Sequence, residues 1–303
     1  MTQVALQRKK IRTARLSIFS NTFLILIKLI VGILSGSVSI ISEAIHSAMD
    51  LMAAVIAFFS VKVSALPPDK KHPYGHGKFE NVSGVIEALL IFIAAGWIVY
   101  EAIEKVLSPH MPDFLGLGVL IMAVSGGINL FVSRRLYKVA KETDSVALEA
   151  DALHLKTDVY TSFGVAFGLV LIAAIFLFCP SGYLWGFNIA LIDPIVAILV
   201  AILIVRESFI LLKKAYIPLL DTPLPEEEIN IIETTINQHL TAEMGYHMLR
   251  TRKAGNMRYV DLHLEVPGHL SVIDSHNLCD QIEEEIKSKL NHIEVYIHIE
   301  PLS

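Results

Sequence analysis

The chain has 303 residues, 53% of them apolar and only 18% charged, with a net charge of −5 and a mean hydropathy of +0.56. A soluble domain usually carries about a quarter charged residues, whereas here apolar blocks fill the first two-thirds and only the last third is mixed like a water-soluble chain. That profile excludes a nucleic-acid-binding protein, a disordered chain and a disulfide scaffold, since Cys179 and Cys279 stand far apart in unlike contexts; a polytopic membrane protein remains.

A bilayer core takes about 20 mostly apolar residues per helix. Six blocks meet that length, at about 16–36, 39–62, 83–105, 114–133, 153–178 and 188–212. The basic run Gln7-Arg8-Lys9-Lys10-Ile11-Arg12 before the first resembles the start of a signal peptide. The apolar run that follows is too long for one and shows no small-residue cleavage site, so a retained helix is expected. Arg15 adds to that basic run, Lys70, Lys71 and Lys78 follow the second block, and Arg134, Arg135, Lys138 and Lys141 follow the fourth. The turns at 35–37, 108–112 and 179–182 contain no Lys or Arg. The positive-inside bias then places both termini of a multi-pass membrane protein in the cytoplasm.

Near Asp221 the character changes. Thr222-Pro223-Leu224-Pro225 ends the sixth helix. Glu226, Glu227 and Glu228 open another, with acids where the helix dipole favours them. Residues 248–252 and 259–265 follow, the second alternating with period two, then a helix at about 272–289 and a further alternating run at 294–300. Helix, strand, strand, helix, strand predicts a small α+β domain with its helices on one sheet face. The expected organisation is a six-helix transmembrane bundle over 1–220 and a cytoplasmic domain over 221–303.

Three polar clusters carry chemistry. His46 and Asp50 lie inside the second block, and His154 and Asp158 where the fifth begins. Each pair is spaced i, i+4, so imidazole and carboxylate share one helix face. Ionisable groups in a membrane helix are costly and line polar paths or pair with one another. Two His and two Asp can supply a tetrahedral shell for a divalent metal. One such pair alone reads equally well as an interfacial polar patch; two at the same spacing favour a site. Measured from the outer turns, Asp50 lies about 18 Å along its helix and Asp158 about 30 Å, so the pairs meet only if the fifth helix tilts or projects outward.

The second cluster is Asp69, His72 and His76 in the loop after the second block, where glycines permit a tight turn; the competing reading is a solvated basic loop. The third is His247, His263, His276, His298 and Glu300. His263 and Glu265 share one sheet face, as do His298 and Glu300, although scattered surface histidines remain the alternative. His110, His239, His269 and His292 stay unassigned.

Together these segments resemble the cation diffusion facilitator family of divalent-metal/proton antiporters, the bacterial zinc and ferrous-iron exporters above all. The resemblance rests on His46-Ser47-Ala48-Met49-Asp50, on Asp151-Ala152-Leu153-His154-Leu155-Lys156-Thr157-Asp158, and on His72-Pro73-Tyr74-Gly75-His76-Gly77-Lys78-Phe79-Glu80. It implies a transport site of His46, Asp50, His154 and Asp158, and a loop site of Asp69, His72 and His76. It also implies a ferredoxin-like, metallochaperone-like tail with a binuclear site at a homodimer contact. To that site His247, His263, His276, His298 and Glu300 carry over, Glu300 where related exporters place an aspartate. Lys78 and Asp221 match a charge pair that links the two parts in the family.

His46 stands where the bacterial zinc exporters have aspartate, and a two-His, two-Asp quartet is similar to that of zinc-preferring animal and vacuolar members. Imidazole favours zinc over the harder manganese. Zn2+ is therefore the expected substrate and regulatory ligand, with Fe2+, Mn2+, Cd2+ or Co2+ as alternatives. An unperturbed histidine titrates near 6.5, which suits proton exchange by alternating access in a dimer. A membrane metallohydrolase would need a water-activating acid besides the ligands, and no HExxH occurs. A metal-sensing membrane scaffold that does not transport is the remaining rival. No ATP-binding motif is present.

Overall fold

The computed structural model describes residues 3–35, 38–107, 115–178, 183–184, 187–188 and 191–302. The chain forms two compact units, Met1–Ala215 and Tyr216–Ser303.

Among the described residues the first unit holds six long helices: α1 (Gln3–Ser35), α2 (Val38–Ser64), α3 (Lys78–Leu107), α4 (Leu115–Thr143), α5 (Val146–Phe178) and α6 (Ile192–Tyr216). A hairpin of two short strands, β1 (Tyr183–Leu184) and β2 (Phe187–Asn188), lies between α5 and α6. Several helices overrun the apolar blocks that announced them. α1 starts at Gln3, because backbone hydrogen bonding continues along the helix axis whether the side chains are basic or apolar. Among the described residues α1, α3, α4 and α6 are long and apolar enough to cross a membrane. α2 and α5 carry the ionisable groups.

The bundle is apolar outside and buries a set of polar groups within a mostly apolar interior. Phe19, Phe23, Trp97, Tyr100, Leu199 and Phe209 point outward, while Ser17, Asn21, Lys28, Ser47, Asp50, Glu87, Asn129, Asp151 and His154 are buried. Water would select the reverse, and hydrocarbon selects this. α5 sits centrally and touches α1, α2, α3 and α4.

One end of the bundle is tied by charge. The buried Glu80 carboxylate, at the start of α3, pairs with Lys10 of α1 and accepts from Ser64 Oγ of α2 at 2.8 Å and Ser145 Oγ before α5. Lys9 pairs with Glu142, and Glu149 with Lys141 and Lys214. The α1 start, the 65–77 loop, the α4–α5 turn and the α6 end therefore share one end of the bundle.

In the second unit a 3-10 turn (Ile217–Leu220) precedes α7 (Glu226–His239), β3 (Gly245–Ala254), β4 (Met257–Val266), α8 (Val272–Lys289) and β5 (Ile293–Pro301). This is the predicted order. The sheet runs β3-β4-β5, with β3 antiparallel to β4. β5 is parallel to β4, an arrangement that needs a crossover, here α8. Val260, Leu262, Leu264 and Val266 of β4 pack with Ile232 and Ile236 of α7 and Ile282 and Ile286 of α8. Period-two alternation then turns Asp261, His263 and Glu265 to the opposite face. His239, unassigned from sequence, ties α7 to α8 through Glu285 at 2.6 Å.

Candidate metal centres

The bundle cluster is set by α5. Asp151, His154 and Asp158 recur at i, i+3 and i+7, one helix face. His154 Nε2 lies 3.2 Å from Asp50 Oδ1 of α2, and both residues are buried. Asp50, His154 and Asp158 can each offer a ligand atom within 4.8 Å of the others. Asn21 of α1 donates to the Asp50 carbonyl at 3.4 Å, which helps fix that turn of α2. His46 lies on α2 one turn before Asp50, and its side chain falls outside the described residues.

The difference in depth disappears when it is measured from the other end of the bundle. Asp50 lies about 21 Å from the end of α2 and Asp158 about 18 Å from the start of α5. Those ends are held level by the Glu80 network. α5, at 33 residues against 27 for α2, spends its extra length on the opposite side.

The loop cluster is compact. Asp69 Oδ1 accepts the N–H of Lys71 at 2.8 Å and of His72 at 2.7 Å, and Gly75 supplies a φ of +82° that side chains resist. His72 Nδ1 and His76 Nε2 each lie 3.4 Å from the Asp69 carboxylate, with the two rings 4.4 Å apart. The His72 N–H is the chief cause that lowers Asp69 below its ordinary value, partly opposed by desolvation and helped by the Lys71 N–H and the histidines. A depressed carboxylate contributes to loop order above its unfolded value of 3.8 and loses that contribution only as pH falls through the lower folded value. Near neutral pH it is a ready anionic ligand.

The tail cluster lies on the sheet face away from the helices. His247 of β3 pairs with His263 of β4, and His263 with His298 of β5. Glu300 stands among the three rings. It lies 2.8 Å from His263 Nδ1, 3.5 Å from His247 Nε2 and 3.6 Å from His298 Nε2. A register shift between His247 and Arg250, with Met248 at a φ of +51°, breaks the alternation of β3 at this point. Glu265, which the sequence reading placed on this face but not among the ligands, reaches His247 at 3.8 Å. His276 is not joined to the cluster within one chain. It sits on α8, exposed, 3.5 Å from Asp280. Replacing Glu300 by Gln is expected to weaken zinc binding to the tail by about tenfold or more while Glu300→Asp stays within a few-fold, read by equilibrium dialysis of the full-length protein. Equal affinity in Glu300→Gln would remove it as a ligand.

Lys78 and Asp221 fall in different units. Asp221 caps the 3-10 turn at a φ of +52°, with Arg252 Nη1 3.5 Å from its carboxylate. Three buried ionisable groups escaped the sequence reading as site residues. Lys28 of α1 donates to Ser47 Oγ at 2.8 Å, and Glu87 and Asp151 have no surface exposure. For Lys28 and Glu87 the available signal was a lone charge within an apolar block, whereas Asp151 stands just before the fifth block, in a segment that carries the family resemblance.

An apolar-surfaced bundle with a buried His–Asp cluster, joined to a histidine-bearing α+β unit, defines a metal-handling membrane transporter. Residues 14–220 match the cation efflux transmembrane domain, and 224–302 match the cation efflux protein cytoplasmic domain. The chain belongs to the cation efflux, or cation diffusion facilitator, family of divalent-metal transporters, and is a multi-pass membrane protein. It is 35% identical to the uncharacterized transporter sll1263 of Synechocystis, over 89% of this chain and 83% of that protein. It is 30% identical to the cation-efflux pump FieF of Shewanella oneidensis, over 95% of this chain and 93% of that protein. Among solved structures, the metal-bound C-terminal domain of the CzcD transporter from Thermotoga maritima matches at 30% identity and a TM-score of 0.23, over 26% of this chain and 96% of that one.

Proposed function

We propose that this protein exports Zn2+ from the cytoplasm in exchange for protons, by alternating access in a homodimer of the inner membrane with both termini cytoplasmic. The observation that carries the reading is the buried contact of His154 with Asp50, beside Asp158, inside a bundle whose surface is apolar. His46 completes the ligand set from the same face of α2 as Asp50. Neutral imidazole and ionised carboxylate are the ligating forms, so binding Zn2+ displaces protons from these groups. Zinc enters from the end that carries the 65–77 loop. The helices then rock, and protons from the far side recharge the ligands as the ion leaves.

Mixed nitrogen and oxygen ligands favour zinc over manganese. Asp69, His72 and His76 hold a second zinc in the loop. His247, His263, His298 and Glu300 hold regulatory zinc in the tail, with His276 contributing across the dimer contact. That zinc stabilises the closed dimer when cytoplasmic zinc is high.

The test is a reconstituted vesicle loaded with a pH indicator. Adding Zn2+ outside should move protons in the opposite direction to zinc, and Mn2+ should do so at least tenfold more weakly. Zinc flux without any proton movement defeats the antiport reading. Zinc binding without flux leaves a sensor, not a carrier.

A further inference from the structure

Below the Asp50–His154–Asp158 cluster, one turn nearer the looped end of the bundle, two buried carboxylates remain unused. Glu87 of α3 accepts from Ser83 Oγ at 3.3 Å through Oε1, and Asp151 of α5 accepts from Ser17 Oγ at 3.0 Å through Oδ1. Among the described residues, Glu87 Oε2 and Asp151 Oδ2 have no hydrogen-bond partner, and both residues are 0% exposed.

The two helices run parallel from the same end and touch closely there. A methyl added at Gly84 would stand 3.1 Å from Val146 Cγ1 and 3.9 Å from Ala150 Cβ. Glu87 is one turn beyond Gly84, and Asp151 follows Ala150, so the two carboxylates come to one level. Ala88, Ala150 and Leu153 share a single apolar cluster around them, and the Asp151 carboxylate and the His154 ring both act electrostatically on Glu87. No cation of this chain is paired with either oxygen among the described residues. An unsatisfied carboxylate oxygen in an apolar interior costs several kcal/mol unless a water, proton or ion meets it.

We propose that Glu87 and Asp151, with the hydroxyls of Ser17 and Ser83, form a second, all-oxygen binding position for a divalent cation, one turn before the His/Asp site. It rests on the transport reading above and supplies its staging point. Three residues separate Asp151 from His154, about 4.5 Å along the helix. An ion leaving the first position is thus about one helix turn from its next ligand. Oxygen ligands hold divalent zinc loosely and do not discriminate against harder ions. Selection therefore falls to the histidine-bearing site above, and the lower one serves capture.

Mn2+ is the probe, because it suits an oxygen-only shell. Bound Mn2+ is counted by equilibrium dialysis on full-length purified protein carrying Asp158→Ala, alone and with Glu87→Gln or Asp151→Asn. Each amide variant keeps shape and removes charge. The expected result is one Mn2+ fewer per chain in either double variant. In proteoliposomes, Glu87→Gln alone should raise the KM for zinc about tenfold with the maximal rate within about threefold. Should either amide variant fail to fold, Ser17→Ala with Ser83→Ala should raise KM by several-fold. Equal Mn2+ counts in all three proteins overturn the proposal, as does a count that falls only when thermal unfolding shows the protein has lost its fold. Normal zinc flux in Asp158→Ala overturns the transport-site reading instead.

Discussion

Replacing Asp158 or Asp50 by alanine is expected to reduce zinc uptake into proteoliposomes by about 100-fold or more, with folding preserved. The basis is ligand count. Groups that only orient a ligand are worth about 10–100-fold in metal affinity, so loss of a ligand itself should exceed that. Asp50 carries a double role, since its Oδ1 also holds His154 Nε2 at 3.2 Å. Without it the ring loses the contact that orients it, and Asp50→Ala should be at least as severe as Asp158→Ala. Asp50→Asn separates the effects, keeping a hydrogen-bonding oxygen while removing the charge. Uptake within a few-fold of the parent in both alanine variants would sink the assignment.

The second large effect concerns stability. Glu80→Ala is expected to lower the apparent unfolding temperature in detergent by about 10 °C or more. Glu80 is 0% exposed and Lys10 3%, and they meet each other far from water. Removing one partner of a buried pair typically costs about 3–5 kcal/mol, because the remaining charge stays buried. It also strips an acceptor from Ser64 and Ser145, loosening α2 and the α4–α5 turn together. The double variant Lys10→Met with Glu80→Gln should recover at least half of the loss, since both charges have gone. A drop of only a degree or two in Glu80→Ala would show that the network is incidental.

Much of this protein was readable along the chain because its solvents impose different periods. Hydrocarbon demands long apolar runs, so six helices stood out. The alternation at 259–265 and 294–300 marked strands with one wet face, and the order of elements in the tail followed. The i, i+4 pairing of histidine with aspartate was equally local, a property of one helix turn. The three histidine clusters could be enumerated on the same terms.

What meets what was decided by tertiary structure. Sequence distance from the outer turns set the two His–Asp pairs about 12 Å apart. The helix ends tied by Glu80 bring Asp50 against His154, and no one-dimensional ruler contains that alignment. His247 joins the tail cluster at a break in strand register, where local alternation misleads. His276 shares the tail's composition yet lies on α8, off the sheet face that carries the others. Lys28 and Glu87 were legible only as isolated charges in apolar blocks, and Asp151 only as the first residue of the fifth-helix segment that carries the resemblance. Their partners come from other helices, and an interior of low dielectric makes the choice of partner, rather than the presence of charge, determine what the group does. By itself the sequence determined that this is a membrane protein with a tail of water-soluble composition and which residue types could hold a cation. The packing of α5 against α1, α2 and α3 decided which of them stand at one depth, because coordination depends on distances of a few ångströms and only folding sets those.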